Sequence, residues 1–221
     1  MRRCLAAPAM PTGGRDMARP LVITDCDEVL LHMVAPFRAW LAEAHDIAFA
    51  MDNQDFASAL THRATGAVVE REEIWRLLSL FFDEEMHRQH PIPGAVAAMA
   101  RLAEQADVVV LTNLLDHRQQ ARTVQLAGHG IPVARVYTNQ GPKGPALAAI
   151  LAEYRPSRAV FIDDIAQHLE SVAEVSPEVR RLHLCGEPEM APHIRCAHQA
   201  GAAHARIDSW AEALPWLLAQ L

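Results

Sequence analysis

The stretch "PLVITDCDEVL" (20–30) decides the fold. Its first half is apolar and does not alternate with polar residues, the pattern of a parallel strand covered on both faces. It then runs into two aspartates, Asp25 and Asp27. Similar runs recur downstream: "DVVVLTN" (107–113), "ARVYTN" (134–139), "RAVFIDD" (158–164), "RRLHLCG" (180–186) and, more weakly, "HARID" (204–208). Helical patterns lie between them at 93–105, 116–129, 144–154, 165–175 and 209–220. Pro177 stops one of these helices and Asp208-Ser209 offers a cap for the last. The βαβα rhythm implies an α/β protein with a doubly wound, mostly parallel, Rossmann-like sheet.

The rhythm breaks between the first and second strands. Residues 31–92 are longer than a crossover requires and carry two strong helical patterns, near 34–46 and 68–88, with weak signals between them. The expected organisation is a catalytic core formed by 20–30 and 93–221, with a small α-helical cap inserted at 31–92. The first 19 residues read as a disordered leader: the apolar run after Arg2-Arg3 is broken by Pro8, too short for a signal peptide. Met17 is a possible alternative start.

At 221 residues the chain suits one domain, or one with an insertion, burying roughly 70% of its unfolded surface. Its net charge of −7 argues against a general nucleic-acid surface, which needs excess Lys and Arg. No run reaches the ~18 apolar residues of a membrane helix. The four cysteines form no CxxC pair or disulfide scaffold, so reduced thiols and a cytoplasmic location are expected. Oligomeric state is read no more narrowly than monomer or homodimer.

In an open α/β sheet the ligand crevice lies beyond the carboxyl ends of the strands. There the chain presents Asp25 and Asp27, then Thr112 and Asn113, then Asp163 and Asp164. "QGPKGPA" (140–146), opening the helix after the third strand, adds Lys143, the only lysine against nineteen arginines. Each feature alone has a bland explanation: aspartates often end strands or cap helices, and a lone lysine is usually a solvated loop residue. A cation at a helix N-terminus is misplaced as a stability device, because that end favours anions by ~0.3–1 kcal/mol. Their joint order along the chain is harder to dismiss.

That order resembles the haloacid dehalogenase superfamily of phosphohydrolases. "DCDEVL" (25–30) matches its DxDx(T/V)(L/V) motif, "VVVLTN" its strand-ending Thr or Ser, "GPKGPAL" its helix-opening Lys and "VFIDD" its acidic pair. The resemblance spans about 20–215, and Glu28 departs from it where many members have Gly. It implies a Mg²⁺-dependent phosphohydrolase of small phosphorylated metabolites. Asp25 would be the nucleophile forming an aspartyl-phosphate, and Asp27 the general acid and base. Thr112, Asn113 and Lys143 would hold phosphate. Asp163, Asp164, Asp25 and the Asp27 carbonyl would hold Mg²⁺. In a straight strand, alternation would put Asp25 and Asp27 on one side. Asp27 favours phosphate over halide chemistry, because halide needs no proton. The absence of lysine from 31–92 excludes the cap-lysine Schiff base of the phosphonate-cleaving members. A phosphomutase or phosphotransferase on the same site, or a non-catalytic phospholigand-binding protein, stays open.

Other candidates are weaker. "HIRCAHQAGAAH" (193–204) places His193, Cys196, His198 and His204 at loose metal-site spacing, but reads as a surface segment, as do His87 and His90. Trp40, Trp75 and Phe81-Phe82 read as packing residues. Arg38, His62 and Arg63 are the candidates in 31–92 for gripping an anionic substrate tail.

Overall fold

The computed structural model describes residues 18–50 and 58–221. Most of the expected leader, with Met17, and residues 51–57 of the expected insertion lie outside the described residues.

Six parallel strands form the main sheet: β1 (Leu21–Thr24), β4 (Asp107–Thr112), β5 (Arg135–Thr138), β6 (Ala159–Asp163), β7 (Arg180–His183) and β8 (Ala205–Arg206). Their order is β5-β4-β1-β6-β7-β8. The strands lack polar alternation because both faces are covered. Val22, Val108, Val110, Val160 and Ile162 face a cluster formed with α3 (Ala95–Ala103), α4 (Gln119–Gly128) and α7 (Trp210–Leu218). Leu21, Ile23, Val109, Leu111 and Phe161 face the opposite cluster, formed with α5 (Lys143–Tyr154) and α6 (Ala166–Val175). Ser209 caps α7, as expected, accepting a hydrogen bond from the Glu212 N–H.

The 31–92 segment is not purely helical. Besides α1 (Val34–Ala44) and α2 (Arg71–Glu84) it holds an antiparallel pair, β2 (Ile47–Phe49) and β3 (Leu60–His62). Strands of three residues are too short for alternation to register against background. Phe37, Trp40, Phe49 and Phe81 form its centre, with Phe37 and Phe81 rings 5.3 Å apart. Leu114, Cys185 and Met190 pack into the same cluster, so the segment sits on the loops that leave β4 and β7. Trp40 is a packing residue as expected, but Trp75 is 56% exposed on α2. Among the described residues no helix is long and apolar enough to cross a membrane.

Candidate active site

β1 is hydrogen-bonded on both sides: Thr24 pairs with Val110 of β4 and with Ile162 of β6. The chain builds outward from β1 through β4 to β5, then returns to β6 on the other side. The carboxyl ends of β4, β1 and β6 therefore surround a topological switch point, where open α/β sheets bind ligands. Asp25 follows β1, Thr112 ends β4 and Asp163 ends β6. All three are buried.

Lys143 joins two of them. Its Nζ lies 2.9 Å from Asp25 Oδ2 and 2.7 Å from Asp163 Oδ2, and the residue is 0% exposed. The flanking glycines explain how it gets there. Gly141 takes a left-handed φ of 105°, turning the chain into α5. Gly144 lets α5 lie against α6: a Cβ there would come within 2.3 Å of the Ser171 carbonyl oxygen. The Gly144 N–H also donates to Ser171 Oγ at 3.0 Å.

The two aspartates are held at their other oxygens. Asp25 Oδ1 accepts from the Cys26 N–H at 2.7 Å. Asp163 Oδ1 accepts from the Ile165 N–H at 2.8 Å and lies 3.2 Å from His168 Nδ1. His168 Nε2 is 3.2 Å from Asn113 Nδ2, so one imidazole ties β6 to the loop after β4. Asp163, not Asp164, makes the turn into α6; Ile165 is the N-cap residue and Asp164 provides no side-chain cap.

Charge is unbalanced here. Asp25, Asp163 and Asp164 are buried beside a single lysine. Burial, with repulsion from Asp163 and Asp27, pushes the Asp25 carboxyl up to about 6 despite Lys143. Burial and the neighbouring Asp163 and Asp25 push Asp164 well above the usual carboxylate range. Asp163 is the one that stays low: burial raises it, but Lys143 and the His168 hydrogen bond prevail. Burial alone would depress Lys143, yet the two carboxylates hold it above its ordinary value. A pocket of hard oxygens with surplus negative charge fits a divalent cation such as Mg²⁺. Asp25, Asp163 and His168 bring one ligand-capable atom each within 4.8 Å of one another, but both His168 nitrogens are engaged, by Asp163 and Asn113, which leaves carboxylate oxygens to face an ion.

Asp27 is engaged differently. β1 ends at Thr24, so strand alternation does not extend over 25–27. The Asp27 carboxylate is gripped by Arg122 Nη2 at 3.0 and 3.2 Å and by Gln89 Nε2 at 2.7 Å. Arg122 is fully buried, reaching up from α4, and also touches Cys26 Sγ at 2.9 Å. Cys26 itself points into the apolar cluster under α3 and α7. The sequence reading missed Arg122, Gln89 and His168. No local pattern marks them; in the structure Arg118, just before α4, and Arg122, on it, are both buried, as arginine seldom is without a partner.

Asn113 serves the rim: its Nδ2 donates to the Gly141 carbonyl at 3.0 Å, and its Oδ1 accepts from Asn139 Nδ2 at 3.1 Å. Glu28, the departure from Gly, adopts a left-handed φ of 58°. Its Oε1 accepts from the N–H groups of Met33 and Val34, at 2.9 and 2.5 Å, at the start of α1. Burial pushes its carboxyl up to about 7. Arg38 lies in a cleft of about 510 Å³ between α1 and residues 187–193, paired with Glu189 at 2.5 Å. His62 faces Glu73 at 4.0 Å, and Arg63 is exposed in the turn after β3. His198 is hydrogen-bonded to the Ala203 carbonyl and His204 to the Arg181 N–H. No metal-type cluster among the described residues includes His193, Cys196, His198 or His204.

The same architecture occurs in solved proteins. A haloacid dehalogenase-like family hydrolase from Streptococcus pneumoniae is 12% identical, with a TM-score of 0.63 over 90% of this chain and 99% of that one. A haloacid dehalogenase-like protein of unknown function from Agrobacterium tumefaciens is 19% identical, with a TM-score of 0.62 over 90% and 97%. A hydrolase of the same family from Deinococcus radiodurans, solved with bound phosphate and sodium, is 18% identical, with a TM-score of 0.59 over 90% and 94%. No family model and no curated protein matches the sequence. The chain therefore has the haloacid dehalogenase-like fold.

Proposed function

We propose that this chain is a Mg²⁺-dependent phosphohydrolase that cleaves a small phosphomonoester through an aspartyl-phosphate on Asp25. One observation carries the reading: Lys143 is buried between Asp25 and Asp163 at the switch point of a haloacid dehalogenase-like sheet. The phosphate bound in the Deinococcus radiodurans relative is consistent with it.

A phosphomonoester brings nearly two negative charges toward carboxylates. Two like charges 4 Å apart repel by about 4 kcal/mol at an effective dielectric of 20, so neutralisation must come first. Mg²⁺, held by Asp25, Asp163 and Asp164 with the Asp27 carbonyl, would supply that neutralisation. Lys143 adds a compact cation, while Thr112 and the Asn113 main chain would donate hydrogen bonds to phosphoryl oxygens. Asp25 Oδ2 would attack phosphorus, forming the Asp25–phosphorus bond as the bond to the leaving oxygen breaks. Asp27 would give that oxygen its proton, then take one from the water that releases phosphate and restores Asp25. The Arg122 and Gln89 grip would fix where that proton is delivered. The 31–92 segment would act as the cap, with substrate choice made on the surface it turns toward the strand ends.

The test is hydrolysis of an aryl phosphate with and without Mg²⁺. Turnover should require the metal and disappear in Asp25→Asn and Lys143→Ala. Equal rates for wild type and Asp25→Asn would overturn the nucleophile assignment. Transfer to a sugar-phosphate acceptor instead of water would make the enzyme a mutase. Saturable binding of phosphate esters with no turnover would make it a binding protein.

A further inference from the structure

We propose that Glu28, His32 and Glu187 form a binding site for a second divalent cation, of the zinc class, beneath the start of α1. One ligand-capable atom from each lies within 4.8 Å of the other two. The set is enclosed: Glu28 is 2% exposed, Glu187 7%, and the His32 side chain 12%. His32 Nδ1 and Glu187 Oε2 are 2.9 Å apart.

The second observation is on Glu28. Its Oε1 is fully used by the Met33 and Val34 N–H groups, but its Oε2 is buried with no hydrogen-bond partner. A buried acceptor left unmet costs about 1–3 kcal/mol, and more when charged. The residue also occupies a left-handed backbone position that favours glycine. The chain thus accepts a strained backbone and an orphaned oxygen to keep a carboxylate at this point. Strain and unmet polar groups of this kind collect at functional sites. A cation bound there would satisfy Oε2.

The donor set selects the ion. One imidazole and two carboxylates suit zinc, which takes nitrogen and oxygen ligands; Mg²⁺ prefers oxygen with several retained waters. Three protein ligands leave a fourth position for water. Glu187 lines the cleft of about 510 Å³ that also holds Arg38, Phe49 and Met190, which gives the ion a route in. The site is braced by the Gly186 N–H donating to the Glu28 carbonyl at 2.6 Å. It also touches the proposed acid: Gln89 Nε2 reaches both the His32 carbonyl, at 3.3 Å, and Asp27 Oδ1.

Full-length protein in excess Mg²⁺ is titrated with zinc against a chromogenic chelator, bound zinc is counted by elemental analysis, and thermal melts are run with and without zinc. The expected result is one zinc per chain and a zinc-dependent rise in Tm. His32→Ala and Glu187→Gln should each weaken binding by about 100-fold, the upper range for losing even an outer-shell partner. Asp25→Asn and His198→Ala should bind as wild type does. His32→Gln stands in if His32→Ala does not fold. No stoichiometric zinc in wild type, or undiminished binding in the His32 and Glu187 variants, would overturn the site. Loss of zinc in Asp25→Asn would also overturn it, by placing the ion among the strand-end carboxylates.

Discussion

A single buried lysine cannot neutralise three buried carboxylates, and Asp25 carries part of the surplus as a raised proton affinity. Its carboxyl moves from 3.8 to about 6, chiefly through burial, so the folded state holds this proton more tightly than the unfolded chain does. The associated stability is complete below pH ~3.8 and is lost as pH rises through about 6; the displacement corresponds to about 3 kcal/mol. Asn at this position has no proton to lose. In metal-free buffer, the stability of Asp25→Asn relative to wild type should therefore rise by about 2 kcal/mol between pH 4 and pH 7.5, most of the full displacement. Paired thermal melts across that range measure it, and a pH-independent gap would contradict it. Excess Mg²⁺ should shrink the gap. Arg122 supplies the second residue-scale expectation. Its Nη2 holds both Asp27 oxygens while its Nη1 reaches Cys26 Sγ, a planar two-nitrogen grip that a lysine cannot reproduce. Arg122→Lys should lower kcat by about 10²-fold, the usual cost of a small misplacement of a reacting group. KM should change little, which steady-state kinetics on an aryl phosphate would check.

At the scale of elements, helix α5 is what delivers Lys143, and its position depends on contact with α6. Gly144 is the contact point, 2.3 Å from the Ser171 carbonyl once a Cβ is added. That obstacle is backbone, so it cannot move aside as a side chain would. Gly144→Ala should cost about 1–3 kcal/mol by overpacking, shifting α5 outward and Lys143 with it. Activity should fall more than stability implies, and Gly144→Ala in a crystal or by hydrogen exchange should show α5 loosened. The start of α5 at Lys143 was legible because the lysine stands alone, between glycines, after an apolar run. The ends of β1, β4 and β6 were legible because acids and a threonine close unalternating apolar runs. Arg122 and Gln89 were not, since nothing local marks them: one sits on a helix face with the ordinary i,i+4 spacing, the other at the exit of the 31–92 segment. Both gain meaning only from Asp27, 95 and 62 residues away. The β2–β3 pair was hidden for a different reason, since three-residue strands have too little length to show a period.

Over the whole molecule, attachment of the 31–92 segment to the sheet is the arrangement that no pattern along the chain reveals. It rests on apolar packing with Leu114, Cys185 and Met190 and on ion pairs that cross the joint, Arg38 with Glu189 and Arg118 with Asp83 among them. Arg118, buried at the entry to α4, donates to Asp83 of α2 from Nε at 2.6 Å and from Nη2 at 2.8 Å, and to Ser79 Oγ at 2.5 Å. The same guanidinium lies 5.9 Å from the Phe82 ring centre, and Arg122, holding Asp27, lies 5.8 Å from it. One aromatic ring on α2 thus contacts both the joint and the arginine at the proposed acid, so loosening the joint should be felt at Asp27. Asp83 is partly exposed, and an exposed ion pair contributes at most about 1 kcal/mol. The forked geometry and the buried arginine argue for the upper end of the exposed-pair range, about 0.5–1 kcal/mol. A double-mutant cycle of Asp83→Ala and Arg118→Met, read by chemical unfolding, should return a coupling in that range. Hydrogen exchange should quicken across 71–84 in both single variants while the β1, β4 and β6 amides stay protected. If coupling is near zero and α2 exchanges as in wild type, the Arg118–Asp83 pair contributes nothing to holding the segment, and its other contacts across the joint carry the attachment.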